Sequence, residues 1–364
     1  MKRILARMVA AMLATVLFFT TQANALSAQK AIVMDAQTGR VLYDKNSSER
    51  ALIASTTKIM TALIVCEQCN VLDRVRIPKE AVGIEGSSIY LRPDEVMTVQ
   101  ELLYGLMLHS GNDAAVALAI YCGGTVEGFV QLMNDKARML GLTQTYFENP
   151  HGLDSPGHYS TAKDLAVLSA YAMRNPIFLQ TVSTKTVQAA SRNMRNHNKL
   201  LWLYDGTDGI KTGYTKAAGR ILVSSATRQG RRLIAVTINA PDDWNDHMQL
   251  LDSGFRRFSL RKVISKGQCL GFVQVSGGTE HVVSLLAAED FFYALAEGEQ
   301  IRVVFPGPGF AYAPVSCGQS AGFAHLCLED DSVYKMPLVF GETVELEQAP
   351  KRSFWEKLWN GDDS

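Results

Sequence analysis

The chain has 364 residues, with 36 Lys plus Arg against 36 Asp plus Glu, 47% hydrophobic and 20% charged residues. That length supports two or three domains and a core that needs no disulfide or metal staple. Near-average glycine (28) and proline (11) exclude collagen-like and disordered classes. The neutral balance argues against a nucleic-acid binder, which needs a basic face.

In chain order, Lys2, Arg3 and Arg7 precede an apolar run over 8–19 and then Ala23-Asn24-Ala25, the pattern of a cleaved export signal over 1–25. A run of 12 residues is too short for a membrane-spanning helix of ~20 residues. Removing the three bases of that segment leaves 33 basic and 36 acidic side chains, a net of −3, on a protein that works outside the cytoplasm. Residues 31–44 read as two short strands around a Thr38-Gly39 turn. Residues 55–66 read as a buried helix, and 99–108, 113–121 and 126–140 as further helices, the last stopped by Gly141. A loop over 149–159 carries Pro150, Gly152, Pro156 and Gly157, after which Ser160-Thr161 cap a helix to about Arg174. Strands over 221–226 and 233–239 flank a hairpin signal at Arg228-Gln229-Gly230, and a helix over 248–255 closes this part.

Composition changes near Phe258. Short Val-rich runs with Gly turns continue to about Leu346, the mark of a small all-β domain. The chain therefore divides into a mixed α/β domain at 26–255, with an antiparallel sheet covered by helices, a β sandwich at 256–346, and a tail at 347–364. In the tail, Phe354, Trp355, Leu358 and Trp359 share one helical face beside Lys351, Arg352 and Lys357, suited to weak peripheral membrane contact. Six cysteines (66, 69, 122, 269, 317, 327) fall three on each side of 255, which fits a disulfide framework poorly; whether any pair stays open. Cys66-x-x-Cys69 lacks the second pair or histidines of a zinc site and reads as small buried residues at a helix end. No metal or cofactor is expected.

Three short motifs carry the chemistry. In Ser55-Thr-Thr-Lys58, positions i and i+3 share a helical face, so the lysine can be base to the serine if its pKa is lowered. Ser110-Gly-Asn112 offers a second hydroxyl and an amide, and serves equally as a helix cap. Lys211-Thr212-Gly213, followed by Tyr214-Thr215, reads as a strand whose glycine leaves room for a substrate backbone at the edge, with a cation favouring neutral Lys58.

The three together, 55 and then 101 residues apart, are the active-site set of penicillin-binding proteins and serine β-lactamases. With Ala31-Ile-Val-Met-Asp-Ala, Asn149-Pro-His-Gly-Leu and Gly209-Ile-Lys-Thr-Gly-Tyr-Thr, the chain resembles the low-molecular-mass D-alanyl-D-alanine carboxypeptidases of the penicillin-binding protein 5 type. The resemblance is strong over 27–255 and extends to the β-rich part and tail. It implies that Ser55 is acylated by the carbonyl between two D-alanines, with Lys58 as its base. Ser110 relays the proton, and Asn112 holds the substrate amide. Lys211, Thr212 and Thr215 take the terminal carboxylate, and the backbone N–H groups of Ser55 and Tyr214 form the oxyanion hole. The implied partners are peptidoglycan pentapeptide stems ending in D-Ala-D-Ala and β-lactam antibiotics. One departure stands out: many relatives carry an Arg in the loop before the last helix, and 241–247 here has none. Carboxylate binding then rests on Lys211 and the threonines, or substrate preference differs.

Rival readings are a class A-like β-lactamase, which needs a water-activating Glu where this chain has Glu148-Asn149, and a non-catalytic cell-wall-binding protein. Gly318-Gln-Ser320-Ala-Gly322 fits a nucleophile elbow only if a helix follows, and a hairpin turn is expected. His109 is expected in the core and His151 in a structural hydrogen bond.

Overall fold

The computed structural model describes residues 26–307 and 309–348; the expected signal at 1–25 and residues 349–364 of the expected tail lie outside the described residues. The described residues form two compact units, one running to Ala36 and from Tyr43 to Leu251, the other made of Gln37–Leu42 and the chain from Asp252.

The first unit is built on a five-stranded sheet. In chain order its strands are β1 (Lys30–Asp35), β2 (Val41–Lys45), β7 (Thr207–Thr215), β8 (Gly219–Arg228) and β9 (Arg231–Ile238), and their spatial order is β2-β1-β9-β8-β7. The β1/β9, β9/β8 and β8/β7 pairs are antiparallel. Ile221–Ala226 is buried at every position, so this stretch reads as a continuous apolar run, as expected of a sheet covered on both faces. Between β2 and β7 run a short antiparallel pair, β3 (Arg74–Arg76) and β4 (Val96–Thr98), and a helical lobe: α1 (Lys58–Gln68), α2 (Val99–Leu108), α3 (Asn112–Gly123), α4 (Val126–Met139), α5 (Ala162–Ala172), α6 (Pro176–Ser183) and the short α7 (Leu200–Leu203). Every residue of α1 from Lys58 to Cys66 is buried. A helix enclosed on all sides belongs to the core, and this one carries a lysine into it. Thr98 and Glu101 form a capping box on α2, and the Thr161 hydroxyl accepts from Asp164 N at the start of α5.

Two local expectations change, and two elements had none. Residues 54–57 form a 3₁₀ turn, so the α-helix starts at Lys58 and not at Ser55. The closing helix, α8, spans Asp243–Arg257 and begins within the stretch read as a loop. α6 gave no expectation, although Asn175 caps it by accepting from Ile177 N and Phe178 N and Pro176 occupies its first turn. The small hairpin of β5 (Thr186–Ala189) and β6 (Arg192–Arg195) was likewise unforeseen.

The second unit is all-β. Its six-stranded sheet comprises β11 (Cys269–Ser276), β12 (Val282–Ala287), β14 (Ile301–Val304), β15 (Phe310–Tyr312), β16 (Ser320–Leu328) and β17 (Asp331–Phe340), and β10 (Phe258–Ile264) pairs β13 (Phe291–Ala296) separately. Val275, Val283, Leu285, Leu326, Met336 and Leu338 fill its core. Arg40 joins this unit by pairing with Glu299 at 2.6 Å and lying over the Phe258 and Tyr293 rings. Gly318 turns at φ +81° directly into β16. A strand follows where an elbow needs a helix; the turn lies at Cys317-Gly318, and Ser320–Gly322 already belong to β16.

Candidate active site

Ser55 sits in the 3₁₀ turn, and Lys58 opens α1 one turn on. Lys58 Nζ lies 3.1 Å from Ser55 Oγ, and it donates to Asn112 Oδ1 at 2.7 Å and to the His151 carbonyl at 2.6 Å. The side chain is fully buried. Burial, first, and then the charge of Lys211 hold its pKa well below the usual lysine range, with Asp113 acting weakly in the other direction. A neutral amine has two N–H donors and one lone pair. Two acceptors take the two N–H groups here, which leaves the lone pair for the Ser55 O–H. Lys211 is also buried, and that burial pushes its pKa down to about 7. The positive charge of Lys211 favours this neutral form of Lys58.

Three segments hold the turn in place. The loop after α4 brings the His151 carbonyl to Lys58, the Pro150 carbonyl to Thr61 Oγ1 at 2.6 Å, and His158 Nε2 to Thr57 Oγ1 at 2.7 Å. Gly152, at φ +90°, passes so close that a Cβ there would lie 1.9 Å from the Ala54 carbonyl oxygen. The start of α3 brings Asn112, whose Nδ2 donates to the Glu85 carbonyl at 2.5 Å. On the strand side, a Cβ on Gly213 would lie 3.3 Å from Ser55 N and from the Ile53 carbonyl, so β7 runs directly against the nucleophile turn. Ala54 (φ +44°) and Ser110 (φ +61°) both adopt the left-handed region, which costs a non-glycine residue about 1–3 kcal/mol and concentrates at functional sites.

A cleft of about 340 Å³ opens over this centre, lined in part by Ser55, Ser110, Thr212, Gly213 and Tyr214. The structure thus brings all three motifs together, but on two levels. Lys58, Asn112 and Lys211 lie beneath the cleft. Asn112 is 3% exposed, with its oxygen on Lys58 and an N–H on the Glu85 carbonyl, a placement suited to orienting the base. Lys211 donates to the Thr212 carbonyl at 2.9 Å. Thr215 is outside the cleft lining: its hydroxyl donates to Asp154 at 3.1 Å and accepts from Ala218 N at 3.0 Å.

Other lining residues had no sequence signal: Ser87, His197, Lys199, Arg220, Asp243 and Trp244. Burial, with Lys211 nearby, pushes His197 down to about 4 and keeps it neutral at pH 7. His109 is half-buried, not in the core, and accepts from Arg195 N through Nε2. The His151 ring accepts from Leu153 N, the expected structural bond, and burial pushes it down to about 4. Glu148 accepts from Ser155 Oγ and Gly157 N and does not line the cleft. Among the described residues, no group of three or more His, Cys, Asp or Glu could hold a metal ion.

Residues 18–242 match the family model of D-alanyl-D-alanine carboxypeptidases. The chain belongs to that family. Residues 258–346 match the model of the penicillin-binding protein 5 C-terminal domain. The chain is similar to the D-alanyl-D-alanine carboxypeptidases DacF of Bacillus subtilis (34% identical, 89% of this chain, 88% of that one) and DacC of Escherichia coli (34%, 94% and 89%). In structure it is similar to penicillin-binding protein 5 from Haemophilus influenzae, at TM-score 0.77 and 31% identity over 89% of this chain and 99% of that one. It is also similar to penicillin-binding protein 6B from Escherichia coli, at TM-score 0.70 and 31% identity over 88% and 98%. The fold is that of this penicillin-binding family with its all-β C-terminal domain.

Proposed function

We propose that this D-alanyl-D-alanine carboxypeptidase removes the terminal D-alanine from peptidoglycan stem peptides through an acyl-enzyme on Ser55. The observation that carries the reading is the coordination of Lys58: two N–H groups held by Asn112 Oδ1 and the His151 carbonyl, with Ser55 Oγ at 3.1 Å. Ser55 Oγ attacks the carbonyl carbon of the penultimate D-alanine while Lys58 takes its proton. Charge that develops on the carbonyl oxygen falls to backbone N–H groups of Ser55 and Tyr214, where β7 meets the nucleophile turn. Ser110, in the same cleft, passes a proton to the departing amine and D-alanine leaves. Water then attacks the ester, Lys58 acts again as base, and Ser55 is restored. Thr212, Gly213 and Tyr214 border the substrate along β7, and Lys211 acts from below through its charge. A β-lactam follows the first half of this path because its ring amide replaces the peptide bond.

The export-signal pattern at 1–25 supports a location outside the cytoplasm, where peptidoglycan is. The tail at 347–364 fits weak attachment to the outer face of the membrane, and the family match over 258–346 supports 256–346 as a separate β-rich module. The deciding assay is D-alanine release from a pentapeptide ending in D-Ala-D-Ala: the wild type releases it and Ser55→Ala and Lys58→Ala do not. Release by Ser55→Ala at the wild-type rate would sink the assignment.

A further inference from the structure

The leaving residue of the proposed substrate carries a free carboxylate, and the expected cation for it, Lys211, is a poor receptor. It is 1% exposed, its ammonium donates to Thr212 O, and burial draws its pKa to about 7. Two cations do line the cleft, Lys199 and Arg220. Arg220 lies on β8 directly opposite Tyr214 of β7. Directly opposed residues in an antiparallel pair project to the same face, so Arg220 emerges beside the residue that follows Lys211-Thr212-Gly213. Its guanidinium donates to Asp243 Oδ1 at 2.7 Å and lies 5.8 Å from the Trp244 ring. The Asp243 side chain is 4% exposed and that of Arg220 is 44% exposed, so the acid is a buried anchor and the guanidinium faces the cleft. A guanidinium has five N–H donors in a fixed fork. One bond to Asp243 leaves enough of them for a two-point grip on a carboxylate. The stretch at 241–247, which lacks an arginine, instead supplies the acid and the ring that hold one contributed by the neighbouring strand.

We propose that Arg220, positioned by Asp243 and Trp244, binds the terminal carboxylate of the substrate and makes the enzyme select peptides with a free C-terminus. This inference rests on the D-Ala-D-Ala reading of the cleft. It is tested with N-acylated Lys-D-Ala-D-Ala and its C-terminal amide, assayed with the wild type, Arg220→Gln, Arg220→Lys and Lys199→Gln. The wild type prefers the acid. Arg220→Gln loses about 10- to 100-fold in kcat/KM on the acid, mostly through KM, the size expected for hydrogen bonds to a charged group. It changes little on the amide, which also reports that the variant is folded. Arg220→Lys restores part of the loss, because a point charge cannot make the two-point grip, and Lys199→Gln keeps the preference.

Equal losses by Arg220→Gln on both peptides, an undiminished preference for the acid, or loss of the preference in Lys199→Gln would each overturn the assignment. Labelling with fluorescent penicillin separates this failure from that of the site itself. A wild type that takes no label refutes the reading of the cleft, and with it this inference. A wild type that takes label and releases D-alanine, with preference retained in Arg220→Gln, refutes Arg220 alone.

Discussion

Gly152→Ala is the sharpest structural test of how the base is held. The residue sits at φ +90°, and its added Cβ would lie 1.9 Å from the Ala54 carbonyl oxygen and 2.8 Å from Thr57 Oγ1. A carbon–oxygen contact needs roughly 3.3 Å, so the 149–158 loop must retreat by more than about 1 Å. That retreat moves the His151 carbonyl, one residue away, off Lys58 Nζ. Left-handed strain costs about 1–2 kcal/mol and overpacking a further 1–3 kcal/mol, a total loss of about 2–5 kcal/mol. A misplacement of about 1 Å near reacting atoms costs on the order of 10²-fold in rate. Gly141→Ala is the matched control: φ is +70°, with nothing within 4 Å of the added Cβ. It carries the strain alone, about 1–2 kcal/mol, and leaves acylation unchanged. Urea unfolding gives the stabilities, and the second-order rate of acylation by penicillin in native buffer gives the function. Gly152→Ala that acylates at the wild-type rate would show that the His151 carbonyl does not position the base.

Asn112→Asp places a carboxylate against Lys58, raises its pKa and keeps it protonated. Acylation at pH 7 falls about tenfold or more for each unit by which the amine's pKa exceeds the pH, and recovers as pH rises; an unchanged pH profile contradicts the role given to Asn112. Lys211→Gln removes a cation that holds Lys58 down, so the acid limb of kcat/KM moves to higher pH, and a limb that stays put shows the charge does not matter. His247 bridges Ser224 Oγ at 2.6 Å and Thr237 Oγ1 at 2.9 Å, and burial pushes it down to about 3. The unfolded chain takes up this proton near pH 6.5 while the folded protein does not, so stability present above 6.5 is lost as pH falls towards 3. Between pH 6.5 and 5 the loss is about 2 kcal/mol. His247→Gln flattens that part of the pH dependence of urea unfolding, and an unflattened curve refutes the assignment.

The legible part of the site is the part written in local spacing. Ser55 and Lys58 meet because three residues make one turn, and Lys211 and Gly213 share a strand face because strands alternate. The sheet was legible at 31–44 and 221–239 for the same reason. What sequence reasoning missed enters through pairing or through the backbone. Arg220 reaches the cleft only because β8 registers Tyr214 against it. Asp243 and Trp244 looked like loop because polar residues mask the first turn of α8. The acceptor from His151 is a main-chain oxygen, which no residue type announces. The contacts of Asn112 were not legible either, since spacing does not say that both ends of its amide are engaged beneath the cleft.

The central claim is that Ser55, with neutral Lys58 beside it, is the nucleophile. Mass spectrometry of the protein after brief exposure to benzylpenicillin tests it most directly. The account predicts one added penicilloyl mass on the peptide containing Ser55, and none in Ser55→Ala. An adduct on the peptide containing Ser110 or Ser320, or full labelling of Ser55→Ala, would contradict it.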